Sequence, residues 1–208
     1  MGFPNNLTGY ALELSDVTNP NFVPLSGANS ALVKNFGGSL VASVNGGAYA
    51  PLGGVSGYPL GVRQIVNAYT GAFASGSIAM PRDNTIPQIT EGNLFLTVSI
   101  TPQSATSTLV IFVSLMLASA VPNSYQAAVF RDAGANALGV QASFQGAANE
   151  MGPISLQVVT PSGSTAASTF TVRAGSSTAT SLQLNGTAGV QQFGGTASSG
   201  ITIVEFGL

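Results

Sequence analysis

The side chains that most enzymes use for catalysis are missing from this chain. Its 208 residues include no histidine and no cysteine, which excludes Ser-His-Asp and Cys-His nucleophiles, zinc sites of imidazole or thiolate, disulfides and thiol redox chemistry. A Gly-x-Ser-x-Gly nucleophile elbow is also absent from the sequence. We therefore expect a non-enzymatic protein with no catalytic residues, no cofactor and no metal ion.

The acidic side chains offer two weak alternatives to that expectation. Asp83 and Glu91 could form the carboxylate pair of a glycosidase, but Asp83 lies in a Pro-Arg-Asp-Asn turn, where a solvated loop is the simpler interpretation. Oxygen ligands from Asp83, Asn84, Asp132 and Glu150 could hold calcium, but their spacing matches no EF-hand. The simpler interpretation is that these are ordinary turn residues.

The sequence contains no complete phosphate-binding motif. The stretch from Gly71 to Ser77 has the glycine spacing of a P-loop without the lysine that contacts phosphates, so we interpret it as a turn. The five basic residues are scattered along the chain, at Lys34, Arg63, Arg82, Arg131 and Arg173, and the formal net charge is −2. A phosphate backbone requires a clustered basic surface. We therefore expect no nucleic-acid partner.

Composition favours an all-β protein that assembles with copies of itself. Only 6% of the residues are charged and 45% are hydrophobic, and Gly, Ser, Thr and Asn take the place of the Lys and Glu that cover helices. So few charges leave apolar surface that is most simply buried between subunits. The sequence therefore predicts an obligate oligomer.

No segment is typical of a membrane anchor or an export signal. The most apolar run, from Leu109 to Val121, is shorter than the roughly 20 residues that a spanning helix needs, and we interpret it as a buried strand. The first residues lack a basic segment followed by an apolar one. We expect no membrane partner.

From residue 71 to residue 208, apolar and polar residues alternate with period two between turn signals, which predicts antiparallel strands. The strand over Thr108 to Ser119 is apolar on both faces, which suggests one face in the core and the other against a neighbouring subunit. The other predicted strands are Gly71 to Met80, Leu94 to Ile100, Tyr125 to Arg131, Ala137 to Phe144, Ile154 to Thr160, Thr169 to Arg173, Ser181 to Asn185 and Ile201 to Phe206. That is the eight to nine strands of a jelly roll.

Residues 1–70 have a different character, because they are rich in Gly, Asn and Pro and contain three aromatic-Pro-Leu-Gly-like phrases, starting at Phe22, Tyr49 and Tyr58. Such phrases form turns with apolar anchors. We interpret this part as an irregular arm, either an appendage that covers the protein's own core or a docking arm that gains order against a partner. The apolar residues that docking would bury are Phe3, Leu7, Tyr10, Leu12, Leu14, Phe22 and Leu25.

Two long phrases of the sequence resemble a known type of domain. The stretch Pro81-Arg-Asp-Asn-Thr-Ile-Pro-Gln-Ile-Thr-Glu-Gly up to Thr106, and the closing Thr169-Phe-Thr-Val-Arg-Ala-Gly, Leu184-Asn-Gly and Ile201-Thr-Ile-Val-Glu-Phe206, are similar to a domain of bacteriophage tail-fibre and other virion-fibre proteins. The resemblance covers about residues 70–208. It implies a compact homotrimeric jelly roll, similar in shape to tumour-necrosis-factor and C1q heads, displayed on the virion surface after assembly in the host cytoplasm.

Two functions are compatible with this resemblance. In the first, the arm docks onto a capsid or tail protein and the trimeric heads form a short head fibre, a cement-like capsid decoration or a tail appendage. In the second, the head is a receptor-binding adhesin whose loops recognise a host surface glycan or protein through Asn123, Tyr125, Gln145 and Asn149. The short arm favours the first function.

Overall fold

The computed structural model describes residues 14–15, 31–36, 39–44, 50–51 and 61–207. Contacts divide the chain into two compact units, Met1–Pro59 and Leu60–Leu208. The sequence placed this boundary about ten residues later, at residue 70. The difference arises because residues 61–70 form a strand of the second unit, whose alternating residues pair with the last strand of the chain.

The described residues of the first unit form a four-stranded sheet. Its strands, in sheet order, are β1 (Leu14–Ser15), β2 (Ala31–Phe36), β3 (Ser39–Val44) and β4 (Ala50–Pro51). β1 pairs with β2 in parallel, whereas β3 pairs with both neighbours antiparallel. The sequence predicts an irregular arm, and within it short runs such as Leu-Val-Ala-Ser-Val, which contain the β-branched residues that favour strands, pair in this sheet.

The second unit consists of strands and one short 3-10 turn within the described residues. The strands are β5 (Gly61–Thr70), β6 (Ala74–Gly76), β7 (Asn93–Ile100), β8 (Thr108–Ser119), β9 (Asn123–Arg131), β10 (Gly139–Gln145), β11 (Met151–Pro161), β12 (Ser168–Ser176), β13 (Leu182–Leu184), β14 (Gly186–Thr187), β15 (Val190–Gln191) and β16 (Ser199–Gly207). The all-β prediction is confirmed. β8 has the predicted bounds, but the strand predicted over Gly71 to Met80 is shortened to the three residues of β6.

The strand order is that of a jelly roll. Sheet I has the order β5-β16-β8-β11 and sheet II the order β7-β12-β9-β10, with every pairing antiparallel. If these eight strands are counted along the chain, the orders are 1-8-3-6 and 2-7-4-5, which is the topology of two interlocked Greek keys. The predicted antiparallel jelly-roll sandwich is confirmed. β13 extends sheet I beside the end of β8 and pairs with β6.

Alternating side chains of the two sheets form one core. Along β8, Leu109, Ile111, Val113, Leu115 and Leu117 are buried. They pack with inward residues of sheet II and of β16, namely Leu96, Val98, Ile100, Tyr125, Ala127, Val129, Phe170, Val172, Ala174, Ile201 and Ile203. Period two is therefore the sequence signal that builds the sandwich.

The outward face of sheet II is covered in part by the chain itself, while Val140 and Phe144 of β10 stay exposed on it. Residues 78–92, called the strap below, lie over it, and Met80 of the strap forms a small buried cluster with Ala128 and Phe130 of β9. The Met80 amide donates to the Ser176 carbonyl at 2.9 Å. Because of this cover, seven consecutive residues of β9 are buried, on both faces of the strand.

Candidate functional site

Two of the four predicted ligand-loop residues, Tyr125 and Gln145, are buried. Tyr125 is only 2% exposed and packs in the sandwich core. Gln145 is buried at the end of β10, where its side chain accepts from the Ser119 amide at 2.7 Å and donates to the Ser119 carbonyl at 2.8 Å. The expectation that these two side chains contact a ligand from exposed loops is wrong, because the chain uses both to complete its own packing.

Asn123 and Asn149 are engaged in turns. The Asn123 side chain donates to the Thr178 hydroxyl at 2.8 Å. Asn149 is exposed and has a φ of 60°, the left-handed conformation that asparagine tolerates better than most residues. Its amide donates to the Ser119 carbonyl at 2.8 Å. Local backbone geometry accounts for both residues.

The carboxylates of the described residues act as hydrogen-bond acceptors in turns. Asp83 accepts from the Thr85 hydroxyl and amide, which hold its pKa below the usual value. Glu91 accepts from the Gln88 amide at 3.0 Å, which places it in the strap rather than in a catalytic pair. Asp132 accepts from the Thr169 amide at 2.8 Å and Glu150 from the Ala147 amide at 3.3 Å. Within the ranges that the structure describes, no three acidic residues cluster as a metal site.

Glu205 is a fully buried carboxylate at one end of sheet I. Burial raises its pKa, but hydrogen bonds outweigh that effect and hold the pKa below its usual value. The donors are the Gln64 side chain at 2.5 Å and the backbone amides of Gln103 and Ser104 at 2.9 and 3.3 Å. The charge thus fixes the β7–β8 connection against β16 and β5, and its role is structural.

Most of the predicted docking residues cannot be placed. Phe3, Leu7, Tyr10, Leu12, Phe22 and Leu25 lie outside the described residues. Leu14 lies in β1, opposite Val33 of β2. In the part of the chain that the structure describes, no helix is long and apolar enough to span a membrane.

The outward face of sheet I is an exposed surface that the packing of the described residues does not explain. Side chains in register across its four strands form rows, and none of those in the first four rows is charged: Val62, Phe206, Thr108 and Pro161; Ile65, Val204, Val110 and Val159; Asn67, Thr202, Phe112 and Gln157; Tyr69, Gly200, Ser114 and Ser155. The second row consists of β-branched aliphatic residues alone. Ile65 and Val159, at its two ends, are 57% and 61% exposed.

A depression of 460 Å³ lies on the third and fourth rows of this face, called the aromatic depression below. Its lining includes the rings of Tyr69 and Phe112, which are 62% and 46% exposed. The Tyr69 ring lies over Gly200, since a Cβ at Gly200 would stand 2.1 Å from the Tyr69 Cδ1 atom. The hydroxyls of Tyr69 and Thr202 are hydrogen bonded at 2.7 Å. The ring is therefore fixed in place before any partner arrives.

The rest of the aromatic depression is polar but uncharged. Ser114 and Ser155 oppose each other on β8 and β11, and Gln157 stands opposite Phe112. Within residues 61–207 the side chains of Ser114, Ser155 and Gln157 form no hydrogen bond. Two exposed rings around free hydroxyl and amide groups can pack against an apolar side chain or a neutral polar ligand.

Sequence reasoning missed this site because its residues come from four strands and meet only through register. Tyr69 was assigned to the arm, and Gly200 and Ser155 carry no motif. The available signal was the strand over Thr108 to Ser119, whose second apolar face was correctly separated from the core face. Its partner strands could not be identified without the sheet order.

Comparisons with known proteins identify no family. No family model matches the chain, and no curated protein matches it. Among solved structures, it is similar to the EclA C-terminal domain, described as a sugar-binding protein, at a TM-score of 0.30 and 14% identity over 68% of this chain and 88% of that one. It is also similar to dimeric latent PorU from Porphyromonas gingivalis (TM-score 0.33, 9% identity, 71% and 14% covered) and to the infectious bursal disease virus VP2 subviral particle (TM-score 0.32, 13% identity, 80% and 46% covered). The chain thus spans less than half the length of the latter two.

Proposed function

We propose that this chain is a non-enzymatic structural protein of a bacteriophage particle, whose jelly-roll units associate as a homotrimer at the virion surface. The unit Met1–Pro59 docks onto a capsid or tail protein, and the heads form a short head fibre, a capsid decoration or a tail appendage. The observation that carries this proposal is the uncharged, apolar outward face of sheet I, on strands β5, β16, β8 and β11.

The composition of this face favours a protein partner. Exposed Val62, Ile65, Phe112 and Val159 would each gain free energy on leaving water, at about 25 cal/mol for each Å² of apolar area. A face without charges also has no charged group to desolvate on association. Copies of the same chain are the partner that is present wherever the protein is made.

The carboxylates support the structural role. Asp83, Glu91, Asp132, Glu150 and Glu205 each accept a hydrogen bond from a backbone amide of the chain. They are thereby committed to turns and connections. The proposal assigns a catalytic step to none of them.

The first test is the mass of the full-length chain in solution, measured by sedimentation equilibrium. A trimer is expected, with three times the 20.8 kDa chain mass. A chain that stays monomeric at micromolar concentration contradicts the proposal. Deleting residues 1–20 should then leave a soluble trimer that no longer joins the particle, and normal incorporation would exclude the docking role.

A second candidate function is adhesion to an uncharged host glycan at the aromatic depression. The observation that favours it is the fixed, exposed Tyr69 ring beside the free hydroxyls of Ser114 and Ser155. Sugars stack on such rings and use neighbouring hydroxyls. A glycan array probed with the full chain tests it: binding that Tyr69→Ala abolishes and Phe144→Ala preserves would favour adhesion. Copy number on the particle separates the functions, because a receptor-binding protein is scarce and a decoration abundant.

A further inference from the structure

A strained apolar tip lies between β13 and β16. β14 and β15 form a two-stranded ribbon whose turn contains Ala188 and Gly189, with φ of 51° and 79°. The 3-10 turn at Phe193–Gly195 follows, and there Phe193 has a φ of 53°. Val190 and Phe193 are 60% and 69% exposed. These two side chains are called the apolar tip below.

The chain's own packing does not account for the conformation of Phe193. A bulky residue at positive φ is rare and costs on the order of 1 kcal/mol or more. The conformation is held by local bonds, since the Phe193 carbonyl accepts from the Thr196 hydroxyl at 2.6 Å, and the neighbouring Gln191 side chain donates to the Gly71 carbonyl at 2.6 Å. These bonds keep a large apolar ring in solvent. A strained, exposed ring is understandable if it meets a partner.

The flat face of sheet I needs a second contact surface to make a stable assembly. Four strands about 4.8 Å apart, over the eight residues from Val62 to Tyr69, give a face of about 500 Å². A standard interface buries about 800 Å² on each partner. A protruding tip that enters a depression supplies the missing area and fixes the register between subunits.

We propose that Phe193 of one copy inserts into the aromatic depression of the next, between the rings of Tyr69 and Phe112. This inference rests on the proposed self-association. Ring and depression are both uncharged, and aromatic pairs gain about 0.5–1.5 kcal/mol beyond burial of their area. The Tyr69 ring adds preorganisation, because its hydroxyl is already hydrogen bonded to Thr202 before binding.

The geometry of the assembly follows. The tip and the depression are different surfaces. In a two-fold dimer each copy would give its tip to the depression of the other, whereas in a trimer the contact is head-to-tail: each copy gives its tip to one neighbour and its depression to another. Such a contact closes into a ring when the rotation allows. A trimer is the ring size that the proposed function requires, and a face-to-face contact of two depressions is excluded by this arrangement.

The absence of natural cysteine allows a direct test by cross-linking. Phe193→Cys and Ser155→Cys would be made in two differently tagged full-length chains, co-expressed and treated with a short bis-maleimide. A mixed cross-linked pair is expected, with little product from either variant alone. The matched control is Phe144→Cys, which replaces an equally exposed phenylalanine of β10 in sheet II and should not cross-link with Ser155→Cys.

The outcomes separate this inference from the proposed function. A trimer in which Ser155→Cys cross-links to itself, or in which no mixed pair forms, overturns the head-to-tail contact and leaves the trimer standing. A monomeric wild-type chain, with or without glycan binding, overturns both. As a second measurement, Phe193→Ala should weaken trimer association at least about 10-fold while Phe144→Ala leaves it unchanged. Equal effects of the two variants would contradict the inference.

Discussion

The outward faces of sheet I and sheet II differ in how far other residues of the chain bury them. On sheet II the strap covers the face, so that Met80 and Phe130 are both fully buried there. On sheet I the equivalent face presents Ile65, Phe112 and Val159 in an exposed state. The strap leaves Phe144 of β10 exposed on sheet II and so covers that face in part, whereas within residues 61–207 the face of sheet I is the more open one. The open one is therefore the surface whose chemistry another molecule must explain.

One glycine on each sheet shows which atoms pack against the outward face of that sheet. A Cβ at Gly175 of β12 would lie 2.6 Å from the Ile78 carbonyl oxygen and 2.8 Å from the Met80 nitrogen, so backbone of the strap passes directly over the sheet. A Cβ at Gly200 of β16 would meet only the Tyr69 side chain. The contact on sheet II is thus made by strap backbone, whereas the contact on sheet I is made by a side chain, which can shift if Gly200 is replaced.

The largest difference between the faces should appear when a phenylalanine is removed from each. Phe130→Ala deletes a ring buried under the strap and should lower the free energy of unfolding by about 3–5 kcal/mol. Phe112→Ala removes a half-exposed ring and should cost less than about 1 kcal/mol in the monomer, while weakening the trimer. Urea unfolding, at a protein concentration where both variants are monomeric, measures the two losses of free energy of unfolding. Equal losses would show that the two faces are not different.

Replacing the two glycines tests the contrast at the level of the backbone. Gly175→Ala should destabilise the fold by about 1–3 kcal/mol, because strap backbone must shift to make room. Gly200→Ala should destabilise the fold less, since only the Tyr69 ring has to move. It should, however, disturb the aromatic depression and weaken self-association. Thermal unfolding and sedimentation of both variants give the two readouts. A larger stability loss at Gly200 would contradict the proposed difference.

The hydrogen bonds that hold the strap and those that hold the end of sheet I should respond differently to acid. The strap is held by Arg173, whose guanidinium donates to the backbone carbonyls of Glu91 and Gly92 at 3.0 and 2.8 Å. The end of sheet I is held by Glu205, whose pKa is lowered in the folded state. Its stabilisation is therefore present above the unfolded value near 4.3 and is lost as the pH falls through the folded pKa.

We expect the free energy of unfolding to fall by about 1–2 kcal/mol when Glu205 is protonated below about pH 4, because a neutral carboxyl is a weaker hydrogen-bond acceptor than a carboxylate. Hydrogen exchange would detect it as faster exchange at Gln103 and Ser104, with the Met80 amide of the strap as the internal control. In Glu205→Gln the acid-dependent part should disappear. Unchanged protection at Gln103 on acidification would disprove this role of the carboxylate.

The sequence predicted the sandwich well because period two is local. β8 has the predicted bounds, and its buried face from Leu109 to Leu117 alternates as expected. β5 was missed because Ile65 and Tyr69 point away from the core, so its apolar residues did not indicate a core strand. The burial of Tyr125 was missed because the residue was assigned to a loop, whereas it stands in β9 on the same face as Ala127 and Val129, which packs in the core. The aromatic depression depends on register between distant strands, which no local pattern encodes.

The smallest effect on stability should come from a charge placed on the open face, and it is the most specific test of that face. Val159 is 61% exposed in the second row of sheet I, opposite Val110. Val159→Lys should change the free energy of unfolding of the monomer by less than about 0.5 kcal/mol, as surface substitutions do. A buried, unpaired ammonium in an interface is costly, so the same change should abolish the trimer. Val140→Lys, on the exposed edge of sheet II, is the matched control and should leave the trimer intact. A trimer that tolerates lysine at position 159 but not at position 140 would place the contact on sheet II, and the face that the strap covers in part would then be the one used for assembly.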